Sequence, residues 1–171
     1  MKTTMSVLLF LIVINFSVYG QEKTKKELKQ ERELKKQNEI KALIDSRNFV
    51  FEAQKTTPQG GRLIQLDYNT YFLKFKVDST TCDLPFFGRG YNVGYNTDGG
   101  IKFEGKPQNI RVESKKNNTI LKATVRGKSD VYDLTFSIFY NGSTTLSVSS
   151  NNRGPISYDG VIYAPKTAEK Q

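Results

Sequence analysis

From Val131 to Tyr140 every second residue is large and apolar, and the run ends on Asn141-Gly142. A period of two marks a strand with one buried face, so Tyr132, Leu134, Phe136, Ile138 and Tyr140 should share the inner side. Asn-Gly accepts positive φ at both centre positions of a two-residue loop and predicts a type I′ hairpin. Thr144 to Ser149 then returns with Leu146 and Val148 inward. A chain that commits its longest predicted strand to a tight reversal is building an antiparallel sheet. The preceding segments agree, with residues 109–114 and 120–126 flanking the turn Lys115-Lys116-Asn117-Asn118.

Upstream, Phe49, Phe51 and Ala53 oppose Val50 and Glu52 in a first strand over residues 48–54, which Pro58-Gln59-Gly60-Gly61 breaks. Residues 62–66 form a short second strand. Residues 71–77 form a third, with Tyr71, Leu73, Phe75 and Val77 on one face, and after the turn Asp78-Ser79-Thr80-Thr81 residues 82–84 follow. Ile156 and Val161-Ile162-Tyr163 suggest a last short strand. The expected class is α+β and mostly antiparallel: an N-terminal helix, then a curled antiparallel sheet or a two-layer sandwich.

The helix is expected in the charged leader, residues 21–39, where lysines and glutamates interleave and Glu22–Lys26 and Glu31–Lys35 are favourable i,i+4 pairs. Leu28 and Leu34 are too sparse to form a buried stripe, whereas Ile40, Leu43 and Ile44 share one face and should dock on the domain. Before the leader stands Lys2, then the apolar run Val7 to Ile14, then Val18-Tyr19-Gly20. That order reads as a signal peptide over residues 1–20, cleaved to expose Gln21, in a run too short to span a membrane. The expected organisation is therefore leader peptide, charged helix, one β-rich domain over residues 40–165 and a polar tail over 166–171. The expected location is the periplasm or cell envelope, in a protein that is not an integral membrane protein.

Charge and composition narrow the chemistry. Losing Lys2 with the leader leaves a net charge of +8, of which +3 lies in residues 21–41 and the rest is dispersed. Nucleic-acid binders gather such charge on one face, so no nucleic-acid partner is expected. Histidine is absent, which removes Ser-His-Asp and Cys-His catalysis and His-liganded zinc. Cys82 is the single cysteine and reads as a buried small hydrophobe. Gly127-Lys128-Ser129 resembles the end of a phosphate-binding loop, but Lys122 stands where that loop needs glycine, so it reads as a hairpin turn. No cofactor or metal is expected.

Residues 84–105 stand apart, with six glycines and five aromatics. Leaving an apolar ring exposed forfeits roughly 1.5–3 kcal/mol, so most of the five must be covered. Phe86, Phe87 and Phe103 are the expected anchors. Between them, Gly88 to Gly100 should form a surface loop presenting Arg89, Tyr91, Tyr95 and Asp98 to a ligand. The catalytic alternative is a small hydrolase acting on glycan or lipid, with Asp98, Glu104 or Asp159 supplying carboxylates beside Tyr and Arg. Asp98-Gly99-Gly100 reads more simply as a turn and Glu104 as a solvated strand residue.

Several blocks also match a known pattern in order: Phe49-Val50-Phe51-Glu52-Ala53-Gln54, Pro58 to Arg62, Leu84 to Tyr91, Asp98 to Gly105, Leu146 to Arg153 and Ile156 to Gly160. In these the chain resembles the domain of unknown function 4251 family, exported proteins of Bacteroidetes. The resemblance implies a signal peptide, a bacterial envelope setting and one small domain, and it brings no activity or catalytic residue. The expected function is a non-enzymatic binding or interaction module for an unknown envelope protein or glycan.

Overall fold

The computed structural model describes residues 24–91 and 99–166. One helix, α1 (Lys25–Ser46), is followed by ten strands: β1 (Phe49–Pro58), β2 (Ile64–Gln65), β3 (Phe72–Phe75), β4 (Thr80–Leu84), β5 (Ile101–Gly105), β6 (Pro107–Ser114), β7 (Asn118–Arg126), β8 (Val131–Phe139), β9 (Ser143–Ser150) and β10 (Ile156–Tyr163). All paired strands are antiparallel. They form a single sheet in the order β5-β4-β3-β1-β10-β9-β8-β7-β6, with β2 added beside β1. The α+β antiparallel class therefore holds, and the sheet is nearly barrel-shaped rather than split into two layers.

The order itself dictates that curvature. β5 and β6 are the two ends of the path, yet only Lys106 joins them. Eight interstrand steps of about 4.8 Å would hold flat edges roughly 38 Å apart, whereas a one-residue link reaches about 7 Å. The sheet must curl until its ends meet. At the meeting point the Phe103 and Tyr132 rings stack with centroids 4.3 Å apart. Gly105 lies so close against the Arg126 carbonyl that a Cβ would overlap it.

The inward face follows the alternation. Leu121, Val125, Leu134, Phe136, Ile138, Leu146 and Val148 are buried, as are Phe49, Phe51, Leu73 and Phe75 across the sheet. Phe49 stacks on Phe75 at 5.2 Å, and Phe136 meets Phe49, Phe51 and Phe75 edge-on at 5.5, 6.2 and 5.9 Å. Such pairs add about 0.5–1.5 kcal/mol each beyond the area they bury. Cys82 is buried in the same core, its Sγ 3.4 Å from the Ile101 carbonyl, and burial pushes its thiol well above the usual range.

The chain divides into two compact units between Glu33 and Leu34, inside α1. In the first, Thr24 and Glu27 form a capping box: the Thr24 amide donates to Glu27 Oε2 at 2.8 Å and the Glu27 amide to Thr24 Oγ1 at 3.3 Å. Leu28 is exposed there, as expected of a solvated helix. In the second unit Ile40 and Ile44 are buried and Leu43 packs beside them. Gly142, at φ +85°, makes room for Ile40, whose Cδ1 would lie 3.0 Å from a Cβ at that position. The predicted leader peptide lies outside the described residues, and among these no helix is long and apolar enough to cross a membrane.

Three expectations are corrected. The hairpin at Asn141-Gly142 is not type I′: the loop is three residues long, Gly142 alone has positive φ, and its amide donates to the Phe139 carbonyl at 2.9 Å. A type I turn closed by a left-handed glycine is the usual three-residue solution. Tyr140 is consequently not on the inner face. It is partly exposed, and its hydroxyl reaches the Lys115 and Lys116 carbonyls of the next turn at 2.9 and 2.8 Å. The longest strand is β1, at ten residues, not the segment ending in Tyr140.

The expected short last strand is instead an eight-residue central one, β10, lying between β1 and β9. It runs straight through Asp159-Gly160. β1 is bulged opposite, between Ala53 and Lys55, and the Glu52 carbonyl comes so near that any Cβ on Gly160 would overlap it. Gly160 is there for close approach, not for a turn. Gly160→Ala should destabilise the fold by about 1–3 kcal/mol, the usual consequence of overpacking. A urea unfolding midpoint equal to that of the unaltered protein would contradict this packing.

Candidate functional site

The loop after β4 leaves the sheet at Pro85, and Tyr158 holds it at its root. The Tyr158 ring is fully buried, and its hydroxyl donates to the Pro85 carbonyl at 2.6 Å. Burial pushes that phenol far above its ordinary value. Phe86 comes next, half-buried against the core, and folds back over Gly88, where a Cβ would lie 2.7 Å from the ring.

Arg153, between β9 and β10, organises the rest. It is 91% buried, as its 9% relative exposure states. Its Nη1 donates to the Gly99 carbonyl at 3.1 Å and to the Gly100 carbonyl, and its guanidinium lies 5.3 Å from the centre of the Phe86 ring. Backbone bonds add a clamp around the isolated bridge of Gly90 with Arg153. The Tyr91 amide donates to the Asn152 carbonyl at 2.8 Å, and the Gly154 amide to the Arg89 carbonyl at 2.9 Å. A buried cation is costly unless it is solvated by protein groups, and here two carbonyls and an aromatic face supply that solvation.

With the backbone of Gly90 and Tyr91 tied down, Arg89 and Tyr91 stand at the surface. Arg89 is exposed, and its guanidinium has no hydrogen-bond or ion-pair partner among the described residues. Tyr91 is 70% exposed. The two border a cleft of about 410 Å³ whose other wall is Gln59, Gly60, Gly154 and Pro155. The Tyr91 hydroxyl stands over Gly154, 3.6 Å from where a Cβ would be. The arrangement offers a planar cation and a phenol above a glycine floor, groups able to hold an acidic or hydroxylated group.

Of the predicted ligand residues, the structure brings Arg89 and Tyr91 together; Tyr95 and Asp98 lie outside the described residues. Phe103 is a buried anchor and Phe86 a half-buried one, but Phe87 is 49% exposed and anchors nothing. Arg153 and Tyr158 were missed, although both stand in blocks noted in the sequence. Of the carboxylates of the hydrolase alternative, Asp98 lies outside the described residues, and Glu104 and Asp159 are not brought together. Glu104 is exposed on β5, and Asp159 is exposed on β10, where it accepts the Thr145 hydroxyl at 2.7 Å, with β4, β3 and β1 between them. Among the described residues no three His, Cys, Asp or Glu gather as a metal site would require.

Comparison with known proteins identifies the lineage. The model of the domain of unknown function DUF4251 matches residues 31–162. The chain belongs to the DUF4251 family. A crystal structure of a DUF4251 family protein from Bacteroides eggerthii DSM 20697 shares the fold, with a TM-score of 0.60 at 17% identity over 75% of this chain and 87% of that one. No curated protein matches. The DUF4251 match reaches from within α1 to the end of β10 and takes in both the Arg153 clamp and the cleft.

Replacing the clamp should separate the loop from the sheet energetically. Arg153→Met keeps the length of the side chain but leaves the Gly99 and Gly100 carbonyls without their donor. The expected loss is about 2 kcal/mol, the usual worth of hydrogen bonds to a charged group. Chemical denaturation of the two proteins side by side measures it, and coincident curves would remove Arg153 from the account.

Proposed function

We propose that this protein is an exported envelope component, a non-enzymatic binding module that engages its partner through the cleft between Arg89 and Tyr91. The observation that carries the reading is the contrast within one short segment. The backbone from Pro85 to Tyr91 is held by Tyr158, Arg153 and Asn152, while the two side chains best able to recognise a ligand are exposed at the cleft. A loop that only closed a turn has no need of so many ties or of an exposed arginine beside them. Rigid presentation lowers the entropy lost on binding, which is where small modules gain affinity.

Export rests on the order of the N-terminal residues: a lysine, a short apolar run, then small residues before Gln21. The partner is an envelope protein or glycan that offers an acidic or hydroxyl-rich group to the guanidinium and phenol. Crosslinking in the native envelope tests this. Arg89→Ala and Tyr91→Ala should each cut partner capture about tenfold, as central interface residues do. Both should leave stability within about 0.5 kcal/mol, as exposed substitutions do. Undiminished capture by both variants, or a protein retained in the cytosol, would overturn the proposal.

A further inference from the structure

A second surface, on the outer face of the sheet, carries chemistry that nothing above uses. β1 lies between β10 and β3, with Glu52 directly opposite Phe72 and Val50 opposite Tyr163 and Lys74. Side chains of alternate residues share a face, so Glu52, Phe72, Lys74 and Tyr163 form one outward array. This face should be solvated, yet Glu52 has a relative exposure of only 9%. It forms part of the wall of a groove of about 420 Å³, within the roughly 300–1,000 Å³ typical of small-molecule sites.

The polar groups in that groove are held in place. The Asn69 amide donates to Glu52 Oε1 at 3.0 Å, and Asn69 itself takes a left-handed φ of +58°. Tyr163 lines the same groove, and burial first, then the Glu52 carboxylate, raises the pKa of its phenol. A carboxylate has about four acceptor positions, so Glu52 keeps capacity for further donors. Lys74 Nζ sits 4.7 Å from the centre of the Phe72 ring, and Lys76 also lines the groove.

We propose that this groove binds a pyranose bearing an acidic substituent, a carboxylate or phosphate. Each part of such a sugar has a counterpart. The Phe72 and Tyr163 rings suit the apolar face of the ring, Glu52 accepts its hydroxyl protons, and Lys74 and Lys76 meet its negative charge. A free anion would leave the rings unused and stand close to Glu52, and a neutral sugar would leave the lysines unused. The site shares no lining residue with the Arg89 cleft and does not depend on the function proposed for it.

Titration of the whole protein with D-glucuronate and with glucose 6-phosphate, followed by NMR, tests the assignment. Both should bind saturably and shift the Asn69 amide and the Tyr163 ring, and both should bind more tightly than D-glucose or inorganic phosphate. Preference for glucuronate would identify a carboxylate as the natural substituent, and preference for glucose 6-phosphate a phosphate. Glu52→Gln and Phe72→Ala should each weaken binding about tenfold. A Lys74→Gln, Lys76→Gln double variant should erase the preference over glucose. Arg89→Ala should leave the titration unchanged. No saturable shift at tens of millimolar, equal affinity for inorganic phosphate, or insensitivity to both Phe72→Ala and the lysine pair would overturn the proposal.

Discussion

One residue, Lys106, separates two strands that the sheet order places at opposite ends. Everything else in the β unit answers to that shortness. A link of about 7 Å cannot cross a flat sheet of nine strands, so curvature follows from connectivity and is not an added preference. Closure has local requirements, and they are met where the ends approach. Gly105 carries no side chain against the Arg126 carbonyl, and Phe103 meets Tyr132 face to face. On the inward face the Phe49, Phe75 and Phe136 rings pack against one another.

The candidate site is a consequence of the same curl. Gly100 leads into β5 and Arg153 leads into β10, strands that lie four steps apart along the sheet, or roughly 19 Å if it were flat. Only in the curled sheet can one guanidinium reach both Gly99 and Gly100 while its backbone bridges Gly90. The loop is thus held from across the sheet, and that is what frees Arg89 and Tyr91 to face outward. Fold energy is placed in Arg153, Tyr158 and Phe86, and the exposed pair contributes little to it.

The alternating strands were legible because burial on one face leaves a period of two that survives in any context. Where a strand is buried on both faces, as β1 is from Phe49 to Ala53, the pattern still marks the strand but hides that Glu52 faces a groove. β10 was judged short because Ile156 and Val161 to Tyr163 carry its apolar signal, and only the Glu52 carbonyl pressing on Gly160 explains a glycine inside the strand between them. The turn at Asn141-Gly142 was located correctly, but its type depends on loop length, which the register of β8 and β9 decides. Phe87 and Arg153 show the same limit at the site. Nothing local distinguishes a phenylalanine that anchors from one that does not, and an arginine followed by glycine and proline reads as surface until Gly99 and Gly100 are brought beneath it. Thr24 and Glu27, by contrast, spell a capping box that the sequence alone contains in full.

Closure of the sheet is the claim on which the clamp and the cleft both stand. Nuclear Overhauser contacts between the Phe103 and Tyr132 rings measure it directly. With centroids 4.3 Å apart the two rings should give strong cross-peaks. In an open, flat sheet six interstrand steps would separate their strands by about 29 Å. Strong ring-to-ring contacts are the result this account predicts; their absence, with the β4–β5 and β7–β8 pairings intact, would contradict it.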